Sequence, residues 1–164
     1  MALTPLAPAA SATALLGQEL DRAVRHWQGD HVLRVATPAD PVDPLLWVAA
    51  QTAAPAHYWR GRSEAEAWAG VGAATMLDGP SLDDLDRLGD VMASLPPDAR
   101  LATTVRFDST AEVGEEWTAF GAVRLVLPRV ELRSDGKAAT LAVHLMPGES
   151  PRVAREALAA IPPA

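Results

Sequence analysis

The chain has 164 residues, 49% hydrophobic and 21% charged, which is long enough for one domain with its own core. Its net charge of -7 argues against a surface for nucleic acid or anionic lipid, since either partner is itself negative. It contains no cysteine, which excludes disulfides, thiolate metal sites and cysteine nucleophiles.

Residues 1–10 are rich in Ala and Pro and are expected to form a loose arm, leaving a single domain over 11–164. The amino terminus lacks the basic start of a signal peptide, and no apolar run approaches the roughly 18 residues of a membrane span, so a cytoplasmic protein is expected. Leu16, Leu20, Val24 and Trp27 form one apolar stripe of a helix, with Glu19, Asp21, Arg22 and Arg25 outside it and Gly29-Asp30 ending it. His31–Ala36 alternates as a strand. Asp43 before Pro44 is an N-cap and first-turn signal for a short helix to about Gln51.

His57–Arg60 and Ala65–Met76 read as a hairpin around Gly61–Glu64. The run Ala67–Ala74 is poor in strand formers and suits a strand that another backbone or helix approaches closely. Ser81–Ala93 reads as a helix: Ser81 and Asp84 resemble a capping box, Leu82, Leu85, Leu88 and Met92 give it an apolar face, and Pro96-Pro97 stop it. Strands are predicted at Leu101–Phe107, Gly121–Leu127, Arg129–Arg133 and Ala138–Leu145. Pro128 marks an edge or a bulge, and Asp135-Gly136 a hairpin turn. Ser150–Ala160 is a short helix, and 109–115 is the best internal linker. Helices interspersed with hairpins, with little βαβ alternation, predict an α+β fold with a largely antiparallel sheet and flanking helices.

Chemistry-bearing motifs are sparse. His26, His31, His57 and His144 show no metal-ligand spacing, so a structural or surface role is expected for each. Asp83, Asp84 and Asp86 fall where a helix dipole favours negative charge. Glu115 and Glu116 suit a turn or helix start. Glu64 and Glu66 share a face if extended and could hold a cation, but a solvated strand face is the simpler reading. Gly70 and Gly72 lack the third glycine of a phosphate-binding loop, and no serine or threonine has a nucleophile's context. Trp27, Trp47, Trp59, Trp68 and Trp117 are expected to pack the core. Arg60 with Arg62, and Arg124 with Arg129, could clamp carboxylates bidentately, against the simpler reading of surface arginines.

Two segments carry a resemblance. Tyr58-Trp59-Arg60 leads into Ala69-Gly70-Val71-Gly72-Ala73-Ala74, and Trp117-Thr118-Ala119-Phe120-Gly121 leads to Leu127-Pro128-Arg129-Val130-Glu131-Leu132. In this order they resemble the amino-terminal region of isochorismate synthases, members of the chorismate-utilising enzymes, from about residue 15 to about 145. The family's glycine pair before Arg106-Phe107-Asp108 is Thr103-Thr104 here, where β-branched side chains would block a close backbone approach. The resemblance implies the amino-terminal part of that fold. In an intact member, a Lys base, a Glu acid and Mg2+-holding Glu residues convert chorismate to isochorismate for menaquinone or siderophore synthesis. Those residues lie beyond the matched region, and Lys137 does not match the base. No catalytic or metal residue is carried over, and substrate-binding residues stay unassigned.

The resemblance thus implies a truncated, inactive scaffold whose partner would be a complementary catalytic half, with chorismate bound only once assembled. One alternative is a stand-alone binding or regulatory module that acts on a chorismate enzyme. The other is an unrelated small α+β protein.

Overall fold

The computed structural model describes residues 11–62, 66–81, 84–108 and 121–162. Helix α1 (Ala12–Val24) starts where the Ser11 hydroxyl accepts from the Ala14 N–H at 3.3 Å, and it buries Leu16 and Leu20 completely. Strand β1 (Leu33–Ala39) comes next, then α2 (Pro44–Ala49), capped by Asp43, whose carboxylate accepts from Leu45 N–H at 2.8 Å. The hairpin of β2 (Ala56–Arg60) and β3 (Ala67–Gly79) precedes α3 (Leu85–Ala93) and β4 (Ala102–Val105). A second hairpin, β5 (Val123–Ser134) and β6 (Ala139–Leu145), leads to α4 (Pro151–Ala159), capped by Ser150.

These strands form one six-stranded sheet of antiparallel pairs in the order β1-β6-β5-β3-β2, with β4 alongside β5. The protein is therefore α+β with an antiparallel sheet and flanking helices. Helices α1, α2 and α4 cover one face. There Leu16, Leu20, Trp47 and Leu158 meet Val35, Val71, Val130, Leu132, Leu141 and Val143 in the main core. Alternation along each strand puts Arg34, Trp68, Glu131 and His144 on the opposite face. Among the described residues no helix is long and apolar enough to cross a membrane.

Several expectations are modified. Residues 123–134 are one strand, not two, and Pro128 lies in the middle of the sheet. It is tolerated because β6 pairs with β5 only from Val130 onward and β4 only up to Val126. In that gap no ladder N–H is needed, and the Pro128 carbonyl accepts from His144 Nδ1 at 2.9 Å. The expected bulge falls on the partner strand, where the register shifts between Ala73 and Thr75.

The first helix ends before Trp27, whose indole N–H donates to the His31 carbonyl at 2.9 Å while the ring still packs on the core. Helix α3 begins at Leu85 instead of Ser81, yet half of the capping box is present: Asp84 Oδ2 accepts from the Ser81 N–H at 3.1 Å. Met92 is exposed, contrary to the apolar face expected of that helix. Leu82 and the side chains of Leu85 and Leu88 lie outside the described residues, as do the 109–115 linker and the 1–10 arm. The Asp135-Gly136 turn is present. Asp135 Oδ1 accepts from Lys137 N–H at 2.8 Å and Ala138 N–H at 2.7 Å, which holds the Asp135 carboxyl below its usual range.

The Ala/Gly run of β3 is closely approached, as its composition implies. A Cβ on Gly70 would lie 2.7 Å from Pro128 Cβ and 3.2 Å from the Trp68 ring. Gly72 holds φ at 63°, which glycine adopts without strain.

Candidate functional site

The sheet face opposite the helices carries a connected set of buried polar groups. Arg34 on β1 reaches across β6 to β5, donating from Nε and Nη2 to Glu131 Oε1 at 3.0 and 2.8 Å. It can cross because the residue paired with Glu131 on β6 is Ala142, too small to stand in the way. From the other side Trp68 Nε1 donates to Glu131 Oε2 at 2.8 Å, its ring lying over Gly70. The Glu131 carboxylate is fully buried and engaged at both oxygens.

Beside it, Arg129 forks onto Glu149, Nη1 to Oε2 at 2.7 Å and Nη2 to Oε1 at 2.8 Å, and also donates to the His144 carbonyl at 2.8 Å. The guanidinium is the main reason the Glu149 carboxyl sits below its usual range, helped by the Met146 N–H. His144 is fully buried, and burial lowers its pKa, so the ring is neutral. Its partner, the Pro128 carbonyl, can only accept, which places the proton on Nδ1 and leaves Nε2 a bare acceptor. Nε2 has no partner among the described residues.

The arginines proposed as clamps do not converge. Arg60 pairs with Asp43 at 2.9 Å, Arg124 with Asp78 at 2.6 Å and Arg129 with Glu149, while Arg62 lies exposed in the β2–β3 turn. His26 is exposed, and His31 contacts Asp30 at 2.6 Å on the surface. Glu66 lies 3.7 Å from Arg133. Asp84 and Asp86 sit at the start of α3, and Lys137 in the β5–β6 turn. Glu64, Asp83, Glu115, Glu116 and Trp117 lie outside the described residues. Of the remaining tryptophans, Trp47 and Trp68 are buried, but Trp59 is 52% exposed, contrary to a core role. Thr103 and Thr104 are regular residues of β4, exposed, with backbones that pair with Leu125 and Arg124.

Sequence reasoning missed the Arg34–Glu131–Trp68 network. Its signal is a charge flanked by apolar residues inside a strand run, Arg34 in VLRVA and Glu131 between Val130 and Leu132. A second feature, a cleft of about 710 Å³ lined among others by His57, Trp59, Trp68, Arg100, Thr103 and Thr104, was also not anticipated.

As for the Mg2+ of the resembled enzymes, the described residues do not fit it. Glu131 and Glu149 already face arginines, and no three His, Asp or Glu come together among the described residues.

The solved structure of MenF, the menaquinone-specific isochorismate synthase from Escherichia coli, is similar with a TM-score of 0.62 and 26% identity, covering 90% of this chain. The similarity takes in 34% of the MenF chain, so the present chain spans about a third of that enzyme. No curated protein matches. A family model described as chorismate binding enzyme matches residues 18–160. With that match running over most of its length, the chain belongs to the chorismate-binding enzyme family.

Proposed function

We propose that this chain is the non-catalytic framework of an isochorismate synthase-like enzyme, acting in conversion of chorismate to isochorismate only together with the catalytic portion of such an enzyme. The similarity to MenF favours menaquinone over siderophore supply. The observation that carries the reading is the neutralisation of charge within the sheet. Arg34, Arg60, Arg124 and Arg129 each meet a carboxylate of this chain, so the groups best suited to a dicarboxylate hold strands and loops together instead.

The test is chromatographic detection of isochorismate after incubating the purified chain with chorismate and Mg2+. No turnover is expected from the chain alone, and turnover that survives repurification would overturn the reading. The Thr103-Thr104 pair at the cleft favours a second reading, a stand-alone binding or regulatory module. Calorimetric titration against full-length MenF separates the two: saturable binding to the complete enzyme supports the regulatory module, and its absence supports the framework.

A further inference from the structure

We propose that the cleft between β2 and the 100–104 segment is a binding site for a small planar carboxylic acid that carries a hydroxyl group. This goes beyond the framework reading and stands without it.

The cleft encloses about 710 Å³, within the range of small-molecule sites. Its planar wall is a pair of indoles. Trp59 and Trp68 are direct cross-strand partners, so they stand on the same face of the sheet. The bond from Trp68 Nε1 to the buried Glu131 fixes that ring before any ligand arrives. Trp59 lies over Gly61, where a Cβ would come within 3.3 Å of its Cη2, and it is 52% exposed. So large an apolar ring left half in water is a surface a flat ligand would cover.

The cation is Arg100. It is exposed at the cleft and makes no ion pair among the described residues, unlike Arg34, Arg60, Arg124 and Arg129. Glu66 also lines the cleft, but Arg133 is 3.7 Å away and offsets its charge. Hydroxyl recognition comes from His57 and from whichever of Thr103 and Thr104 alternation along β4 turns into the cleft. The His57 Nε2 is buried without a partner among the described residues. Burial, with the nearby Arg124 charge, lowers the His57 pKa, so the ring offers one donor and one acceptor at neutral pH. The two threonines stand where the resembled enzymes have glycines, so a hydroxyl on β4 sets this chain's cleft apart.

The probe is 4-hydroxybenzoate, titrated into the 164-residue chain and followed by tryptophan fluorescence and calorimetry. Saturable binding is expected, with 4-hydroxybenzamide, which lacks the charge, binding at least about tenfold more weakly. Arg100→Gln should weaken the acid by a similar factor while leaving the amide unaffected. Trp59→Ala should weaken both ligands about fivefold, and Trp59→Phe should restore most of the loss. Arg100 and Trp59 are exposed, so the variants should keep the parent's circular dichroism and unfolding midpoint. Absence of saturable binding at millimolar probe would overturn the proposal. Equal affinity for acid and amide would do the same, as would unchanged affinity in Arg100→Gln and Trp59→Ala.

Discussion

The two faces of one sheet are held by different physics. On the helix-covered face, Leu16, Leu20, Val35, Val71, Val130 and Leu141 are joined by burial alone, which has no direction and depends on volume. On the opposite face, Arg34, Trp68, Arg129, Glu131 and His144 are nearly as secluded, but each is held by a bond of defined partner and angle. A face of the first kind should tolerate changes that conserve volume. A face of the second kind should tolerate only changes that remove both partners.

Removing one partner should have the largest effect. Glu131→Ala leaves the Arg34 guanidinium and the Trp68 N–H buried without an acceptor, at an expected cost of about 3–5 kcal/mol in urea denaturation. Replacing both ends of the ion pair, Arg34→Met with Glu131→Leu, should recover the part of that loss due to the stranded guanidinium, while the Trp68 N–H stays without its acceptor. A double variant no better than Glu131→Ala would mean that the stranded guanidinium is not the main cost and that the Trp68 N–H or the pair's own net stability accounts for the loss.

On the helix side the contrast should reverse. Leu20→Ala should cost about 2–5 kcal/mol, through lost burial and the cavity left behind. Leu20→Met, which keeps the volume, should cost less than about 1.5 kcal/mol by the same measurement. A large penalty for the methionine would show that this face too depends on specific shape.

Gly70 lies under the contact of Pro128 and Trp68, so it tests whether the polar face has any slack. Gly70→Ala places a methyl 2.7 Å from Pro128 Cβ and 2.9 Å from its Cγ, which should cost about 1–3 kcal/mol. Displacement of the Trp68 ring from Glu131 should also shift its fluorescence. Unchanged stability and fluorescence would mean that β3 and β5 can part without disturbing the network.

The same contrast explains what was legible in the sequence. The 3.6-residue stripe Leu16–Leu20, the Asp43-Pro44 start and the Asp135-Gly136 turn are local signals, and each stands where its residues place it. Pro128 misled because its tolerance depends on which strands lie beside β5, β6 on one stretch and β4 on the other, and no local rule contains that information. The polar network failed to show for a related reason. Arg34 and Glu131 are 97 residues apart, and nothing near either one says that a third strand carries alanine at the point where the guanidinium must pass. The cleft depends on Trp59 and Arg100 meeting across the fold, whereas composition alone favoured burial of every tryptophan.

The smallest expected effect separates the faces by pH. The His144 ring is buried and its pKa is lowered chiefly by that burial; Glu131 favours the charged ring, while Arg34 and Arg129 oppose it. In the unfolded chain the ring returns to its ordinary value of about 6.5, so below that pH the unfolded state takes up a proton that the folded state refuses. Stability should therefore be greatest above about pH 6.5 and decline as the pH falls toward the lowered folded value. Glu149 and Asp135 are depressed carboxyls, and their contributions begin to fade only at about pH 5 and are lost below it, at the lower edge of this window. His57 is lowered as well and adds slope of the same sign, so the wild type alone cannot isolate His144. His144→Asn can, because its amide N–H can still reach the Pro128 carbonyl but has no proton to gain. Urea denaturation across pH 5–7 should then give a flatter profile, whatever stability the variant loses at neutral pH. An unchanged profile would mean that the folded imidazole gains its second proton over the same pH range as in the unfolded chain, and the polar face would then carry one more positive charge toward pH 5 than its neutral-ring geometry implies.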